Sequence, residues 1–169
     1  VNMSKKLTED KFLELINTAY AGFNFMHLKT TEVSYDERFD SAICTICKPF
    51  MSEICICCSS AMSFLSLLNK CRDDAELEDV MTSISCNCIV YLVTCKRNIE
   101  WFVDNLIACI TEESVFKLID EYVSNMNAIY KQLYDIFDTY VTDETYELIK
   151  QLEDAFDRQD DDDDANYVT

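Results

Sequence analysis

Glycine and proline are almost absent from this chain, which has one of each, Gly22 and Pro49, among 169 residues. β-Sheet proteins of this size need many tight turns, and those turns generally use Gly, Pro or Asn-Gly. Long helices joined by short polar links need few such residues. Hydrophobic residues make up 49% of the chain, so a substantial core is expected. We therefore predict an all-α protein.

Residues that carry familiar catalytic and metal chemistry are also scarce. The single histidine, His27, belongs to no Glu-x-x-His or His-Glu-x-x-His motif, which excludes the usual helical di-iron and zinc-protease sites. One glycine is too few for a phosphate-binding loop. Carboxylate pairs such as Asp120 with Glu121 and Asp135 with Asp138 lie on polar helix faces, where solvation is expected rather than acid–base catalysis. We predict no catalytic residue, no cofactor and no metal site.

Positive charge is in short supply, with 14 Lys and Arg against 32 Asp and Glu, a net charge of −18. This charge disfavours binding to nucleic acid backbones and to anionic membrane surfaces. From Thr111 onward the chain has 17 acidic and 4 basic residues, and Asp160–Asp164 are five consecutive aspartates. Repulsion within that run predicts a disordered acidic tail at 160–169 after a single helical domain at 1–159.

Long uninterrupted apolar runs are missing too. A bilayer-spanning helix needs about 20 consecutive, mostly apolar residues. The nearest candidate, Ser41–Leu68, is interrupted by Lys48, Pro49 and Glu53. We therefore expect no membrane span.

Capping residues and apolar spacing predict six or seven helices. Thr8, followed by two acidic residues, is a good N-cap for a first helix that ends near Gly22–Leu28. Ser34–Glu37 reads as a capping box that opens a second helix. Pro49 is expected to end or kink that helix, because it lacks an N–H and crowds the preceding turn.

The second half of the chain adds further predicted boundaries. A third helix is expected from about Phe50 to Lys70, and the pair Asp73 and Glu76 caps the next one. Asn98 is expected to cap a short helix of its own. The threonines at 111 and 142, each followed by two acidic residues, are expected to begin the last two helices.

The helix that follows Thr111 carries a heptad seam, since its apolar positions alternate three and four residues apart. Such a seam packs either on another helix of the same chain or on a second copy, which would give a homo-oligomer. Compact bundles use the same packing, so the intramolecular alternative is favoured. The seam residues form a possible helix–helix interface and are Ile119, Tyr122, Met126, Ile129, Leu133, Ile136 and Tyr140.

Cysteines are abundant and confined to the central helices. Helical spacing directs most of them toward a common interior. Pairing into disulfides, which would staple the central helices in an oxidising compartment, is the leading interpretation. Reduced core residues are the second, and zinc bound by two Cys-x-x-Cys pairs is the third and weakest. The ten disulfide candidates are Cys44, Cys47, Cys55, Cys57, Cys58, Cys71, Cys86, Cys88, Cys95 and Cys109.

The leading functional hypothesis is a non-enzymatic, extracellular, disulfide-stapled binding protein. Its ligand would be a protein partner or a small apolar molecule held between helices. The alternative is a cytoplasmic helical regulatory or interaction protein with reduced cysteines, including one that a virus supplies to an infected cell. A third hypothesis is a structural protein that self-assembles through the heptad seam.

Overall fold

The chain is all-helical over the residues that the computed structural model describes, which are 6–71, 76–110 and 112–166, without the side chains of residues 71 and 163–166. Helix accounts for 88% of the structure, and the described ranges contain no strand. This confirms the predicted all-α class. The described helices are α1 (Glu9–Ser34), α2 (Ser41–Cys71), α3 (Leu77–Ile107), α4 (Glu113–Asp138) and α5 (Asp143–Asn166).

Four of these helices form a closed bundle, and the fifth lies outside it. α1 packs on α2, α2 on α3, α3 on α4, and α4 returns to α1. The two longest helices, α2 and α3 with 31 residues each, share the most extensive contact. α5 packs mainly on α3, and its Tyr146 hydroxyl donates a hydrogen bond to Asp138 at the end of α4. The apolar faces of α1–α4 therefore enclose the core, and α5 adds to its surface.

Short polar side chains fix several helix starts by accepting backbone N–H groups that have no partner within the helix. Thr8 Oγ1 accepts from the Lys11 amide at 3.2 Å, so the predicted start of the first helix is confirmed. Asp40 Oδ1 accepts from the Ile43 amide at 2.8 Å at the start of α2. Thr142 Oγ1 accepts from the Thr145 amide at 3.4 Å, which confirms the predicted start of the last helix.

The prediction of six or seven helices is not confirmed, since the described residues form five, and the first difference lies in α1. This helix continues to Ser34 instead of ending near Gly22–Leu28. Gly22 faces α4, where a Cβ at position 22 would lie 2.7 Å from Leu133 Cδ2. The glycine thus permits a close approach of two helices and does not end the first one.

The predicted capping box at Ser34–Glu37 does not open a helix. Ser34 is the last residue of α1, and Asp36 accepts hydrogen bonds from the Arg38 backbone at 2.9 Å and its Nε at 2.8 Å. Hydrogen bonding to Arg38 lowers the pKa of Asp36 to about 2. Arg38 also donates to the Ser114 carbonyl near the start of α4, at 3.3 Å. These local bonds hold residues 35–40 as a link.

Two further predicted breaks lie inside helices. Pro49 is in the interior of α2, on its exposed side, while Cys47 and Met51 next to it are buried in the core. Asn98 is buried within α3 and donates from Nδ2 to the Thr94 carbonyl at 3.0 Å, so it caps no new helix. Packing of the flanking turns overrides both local signals.

Two predicted helix starts differ from the structure in detail. Glu76 is the N-cap of α3 but makes no side-chain capping bond, and Asp73 lies outside the described residues. α4 has 26 residues and begins at Glu113, after the N-cap Glu112. It is therefore five residues shorter than α2 and α3.

The prediction of disorder from residue 160 is not confirmed, since α5 continues through the aspartate run to Asn166. Asp160 accepts from Arg97 Nη1 at 3.1 Å and from the Trp101 indole N–H. These contacts attach the beginning of the run to α3. Residues 167–169 of the predicted tail lie outside the described residues.

The heptad seam of α4 packs within the chain. Ile119, Tyr122, Met126 and Leu133 are buried in the core, and Ile129, Ile136 and Tyr140 pack at its edge. Tyr122 stacks edge-on against Phe102 of α3 with ring centroids 5.5 Å apart. Its hydroxyl also hydrogen-bonds to Thr30 of α1 at 2.8 Å. Packing within the bundle thus occupies the face that a second copy would need.

Adding a methyl group at position 22 tests the close approach of α1 and α4. Gly22→Ala should lower the free energy of unfolding by about 1 kcal/mol, because overpacking against Leu133 costs about 1–3 kcal/mol and exceeds the roughly 1 kcal/mol of helix propensity gained. In a Leu133→Ala background the same change should stabilise the protein. Denaturant unfolding of the four chains measures this coupling. Equal effects in both backgrounds would refute the close approach.

Candidate functional site

A cluster of aromatic side chains joins α5 to the bundle. The rings of Trp101 on α3 and Phe156 on α5 meet nearly perpendicularly, with centroids 5.4 Å apart. The ring of Phe50 on α2 is tilted by 52° to the same indole, with centroids 6.2 Å apart. The indole N–H donates to Asp160. Edge-to-face packing with a satisfied N–H is the arrangement that a partly buried tryptophan prefers.

Arg97 of α3 completes this contact with charge. Its Nη1 lies 3.0 Å from Asp157 and 3.1 Å from Asp160, and its guanidinium carbon is 5.7 Å from the centre of the Phe156 ring. The Arg97 side chain is only 19% exposed. Asp157 and Asp160 are 63% and 39% exposed, so solvent screens these ion pairs, and the contact with the Phe156 ring adds to their attraction. We call the surface formed by Phe50, Arg97 and Trp101 the α5 seat.

The rest of α5 is thinly attached. Ile149 is its one buried residue among the side chains that the structure describes, while Leu152 and Phe156 are half-buried and Leu148 is 52% exposed. Burial of a single isoleucine contributes about 1.5–3 kcal/mol. The last turns of α5 carry consecutive aspartates and no basic residue, although the C-terminal end of a helix favours positive charge. Among the described helices, α5 therefore has the smallest apolar contact and an unfavourable charge pattern.

A groove of about 690 Å³ runs along the surface between α3 and α4, close to the seat. The Lys96 ammonium lies 4.7 Å from the centre of the Tyr130 ring, which stacks on Tyr134 at 5.8 Å. Burial raises the pKa of Tyr130 to about 12, with smaller contributions from neighbours that include Glu153 of α5. The Tyr130 hydroxyl is therefore protonated at neutral pH and available for hydrogen bonding.

A second opening of about 610 Å³ lies between α1 and α2; we call it the α1/α2 cavity. Its walls carry small polar groups, including the hydroxyls of Thr31 and Ser34 and the thiols of Cys44 and Cys55. Lys48 contributes one positive charge. Both large openings are accessible from solvent, so neither is an enclosed apolar chamber.

The disulfide prediction is not confirmed, because the nine cysteines whose side chains the structure describes are free. Helical spacing directs most of them into the core of the bundle, where they pack as small apolar side chains. The buried ones are Cys47, Cys57, Cys58, Cys88 and Cys95, the half-buried ones are Cys44, Cys55 and Cys86, and Cys109 is exposed. The side chain of Cys71, the tenth candidate, lies outside the described part of the chain.

Burial governs the chemistry of these thiols. It raises the pKa of Cys88 and Cys57 to about 12 and that of Cys47 to about 11. Because the thiolate is the reactive form, thiols with such values are unreactive at neutral pH. The pKa of Cys95 is also raised well above its usual value, first by a hydrogen bond with the thiol of Cys58 across the α2–α3 interface and then by burial.

The remaining candidates for chemistry are dispersed. Within the described ranges, no group of three or more His, Cys, Asp or Glu residues is arranged to hold a metal ion. His27 is half-buried in the middle of α1. The carboxylate pairs Asp120 with Glu121 and Asp135 with Asp138 all lie on exposed positions of α4.

One described helix is long and apolar enough, by length and composition, to cross a membrane. It is the stretch Ser41–Lys70 of α2, with a mean hydropathy of 1.6 over its most apolar 18 residues. A third of that window is buried inside the structure. The absence of a membrane span therefore stays a prediction.

Comparisons with known proteins add no assignment, since the chain matches no family model, no curated protein and no solved structure.

Sequence reasoning missed the α5 seat. Arg97 and Trp101 are four residues apart, as are Phe156 and Asp160, so each pair occupies one helix face. That spacing was the available signal, but nothing in the sequence indicated that the two pairs meet.

Removing the charge of Arg97 should loosen α5. We expect Arg97→Gln to shift the emission of Trp101, the one tryptophan of the chain, to longer wavelength and to increase its quenching by acrylamide. Loss of partly exposed ion pairs worth roughly 1 kcal/mol should raise the open population about fivefold. Fluorescence of the folded protein measures both changes.

Lys96→Gln is the matched control, because it removes the neighbouring positive charge while leaving Asp157 and Asp160 paired with Arg97. Its emission should match that of the wild type. If Arg97→Gln and Lys96→Gln gave the same spectrum, the ion pairs of Arg97 would not be holding α5.

Proposed function

We propose that this chain is a non-enzymatic binding protein that recognises an acidic amphipathic helix of a partner protein at the α5 seat. One observation carries the proposal: the seat already holds a helix of that kind, α5, through a few side chains. A groove that accepts an amphipathic helix is a recurrent mode of protein recognition.

The contacts of α5 define the chemistry of the ligand. Phe156 packs its ring against Trp101. The next residue, Asp157, forms an ion pair with Arg97. Asp160, one turn later, contacts both Arg97 and the indole N–H. A partner helix would therefore present an aromatic residue followed by carboxylates one and four positions later. Aromatic and arginine side chains such as those of the seat dominate binding energy in many interfaces.

Displacement of α5 by a partner is physically reasonable. A tethered helix has an effective concentration in the millimolar range at its own site, so a competing helix must bind more tightly. Among its described side chains α5 has one that is buried, and it carries aspartates at the end of the helix that disfavours them. A partner helix with a larger apolar face and no aspartate run would bind the α5 seat more tightly than α5 does.

The shapes of the openings support a protein partner over a small apolar ligand. Small-molecule pockets bury 70–90% of the ligand surface in most cases. The openings of about 690 Å³ and 610 Å³ are shallow grooves open to solvent on the surface of this bundle, so neither would enclose a small molecule. Self-assembly through the α4 seam is also less well supported, because its residues pack against α1 and α3.

The free thiols support the cytoplasmic alternative over the extracellular one. Five of the described cysteines are buried as core residues, and a reducing compartment preserves thiols of that kind. We therefore place the proposed binding activity in the cytoplasm, where disulfide stapling is not required for the fold.

A labelled peptide of residues 143–166 tests the proposal. The receptor is the full chain carrying Phe156→Ala and Asp160→Asn, which weaken its own α5 and free the seat. We expect the peptide to bind this receptor saturably, and the wild-type chain at least about tenfold more weakly because its own α5 competes. Fluorescence anisotropy measures both affinities.

Matched variants locate the binding surface. Adding Trp101→Ala to the weakened receptor should abolish binding, and adding Lys131→Gln, which alters the α3/α4 groove, should leave it unchanged. A peptide that itself carries Phe156→Ala and Asp160→Asn should not bind. Absence of saturable binding to the weakened receptor, or binding that survives Trp101→Ala, would rule out the seat as a helix-binding site.

A further inference from the structure

The thiols of Cys58 and Cys95 meet in the centre of the bundle. Cys58 lies on α2 and Cys95 on α3, both are fully buried, and their side chains hydrogen-bond to each other. Cys88, two turns earlier on the same side of α3, is equally buried, but burial is the one cause of its raised pKa. The contact between Cys58 and Cys95 thus distinguishes these two cysteines from an ordinary buried thiol.

The α1/α2 cavity brings solvent close to this pair. Cys55, one turn before Cys58 on α2, is half-buried and lines the cavity. Burial raises the pKa of Cys55, but a hydrogen bond with the Thr31 side chain opposes the rise. Interaction with Cys58 adds to the rise in the pKa of Cys55, and interaction with Cys55 adds to the rise in the pKa of Cys95, so Cys55 lies near both thiols. A small oxidant in the cavity therefore reaches a thiol that adjoins the buried pair.

We propose that Cys55, Cys58 and Cys95 form an oxidation site, in which hydrogen peroxide entering the α1/α2 cavity generates a disulfide between Cys58 and Cys95. This inference is independent of the proposed binding function, because the three thiols lie in the interface of α2 with α3 and in the cavity wall. The α5 seat takes no part in it.

The chemistry balances in three steps. The Cys55 thiolate attacks one peroxide oxygen, an S–O bond forms as the O–O bond breaks, and the departing hydroxide leaves as water after taking a proton. Cys95 then attacks the Cys55 sulfur, forming a disulfide and expelling a second water. Finally Cys58 attacks the Cys95 sulfur, which creates the Cys58–Cys95 bond and returns Cys55 as a thiol. Overall, one peroxide is reduced to two waters and two thiols are oxidised.

Peptide mapping of the native protein tests the proposal. The wild-type chain is treated with one equivalent of peroxide, unfolded in an alkylating agent without reductant, and digested. We expect a linked peptide pair containing Cys58 and Cys95, two hydrogens lighter than the reduced peptides. The reaction should accelerate between pH 7 and pH 9, since the raised pKa values keep the thiolate fraction small at neutral pH and higher pH increases it.

Four alanine variants separate the roles of the cysteines. Cys58→Ala and Cys95→Ala should each lose the bridge, while Cys88→Ala, the buried control on α3, should retain it. Cys55→Ala should form the same bridge at least about tenfold more slowly. Melting curves identify any variant that fails to fold. For such a variant, the peptide map of the wild-type chain still shows whether the bridge between Cys58 and Cys95 forms.

Several results would overturn the inference. One is full alkylation of Cys58 and Cys95 after peroxide treatment, while the exposed Cys109 becomes oxidised. A second is a bridge between any other two cysteines. An unchanged rate in Cys55→Ala would eliminate the route through the α1/α2 cavity.

Discussion

Packing around α3 is the constraint on which the rest of the structure depends. This helix contacts α2, α4 and α5, and its buried residues run from Val80 to Leu106 along nearly its whole length. A helix with apolar residues on several faces is stable only at the centre of a bundle. Burial of α3 therefore draws α2 and α4 to its sides, and α1 closes the ring by packing on both.

Helices α1–α4 enclose the core, whereas α5 only covers the α5 seat on the outside of α3. The proposed function depends on this difference. Trp101 and Arg97 lie on the side of α3 that the ring leaves partly open, and α5 covers them with an aromatic ring and two carboxylates. A surface that is covered by a weakly attached helix of the same chain can bind a partner helix when that cover opens. The Cys58–Cys95 contact, in contrast, lies inside the ring, where exchange of α5 does not reach it.

Sequence reasoning succeeded where a local pattern decides the outcome and failed where a distant contact decides it. Scarcity of Gly and Pro predicted the all-α class, and Thr8 marked the first helix start correctly. Gly22 was misread as a break because its contact with Leu133 of α4 determines its role, and Asn98 was misread because packing against the rest of the bundle buries it inside α3. The α5 seat joins Trp101 to Asp160 across 59 residues, a separation over which helical periodicity carries no information.

The central claim is that α5 can detach while α1–α4 stay folded. Native-state amide hydrogen exchange tests this claim most directly. We predict that amides of α3 near Leu92 exchange only through global unfolding, whereas those of α5 near Phe156 exchange through a local opening of much lower free energy. Such a difference would establish α5 as a separate opening unit. Equal protection of α3 and α5 would contradict the account, because α5 would then be an integral part of the bundle.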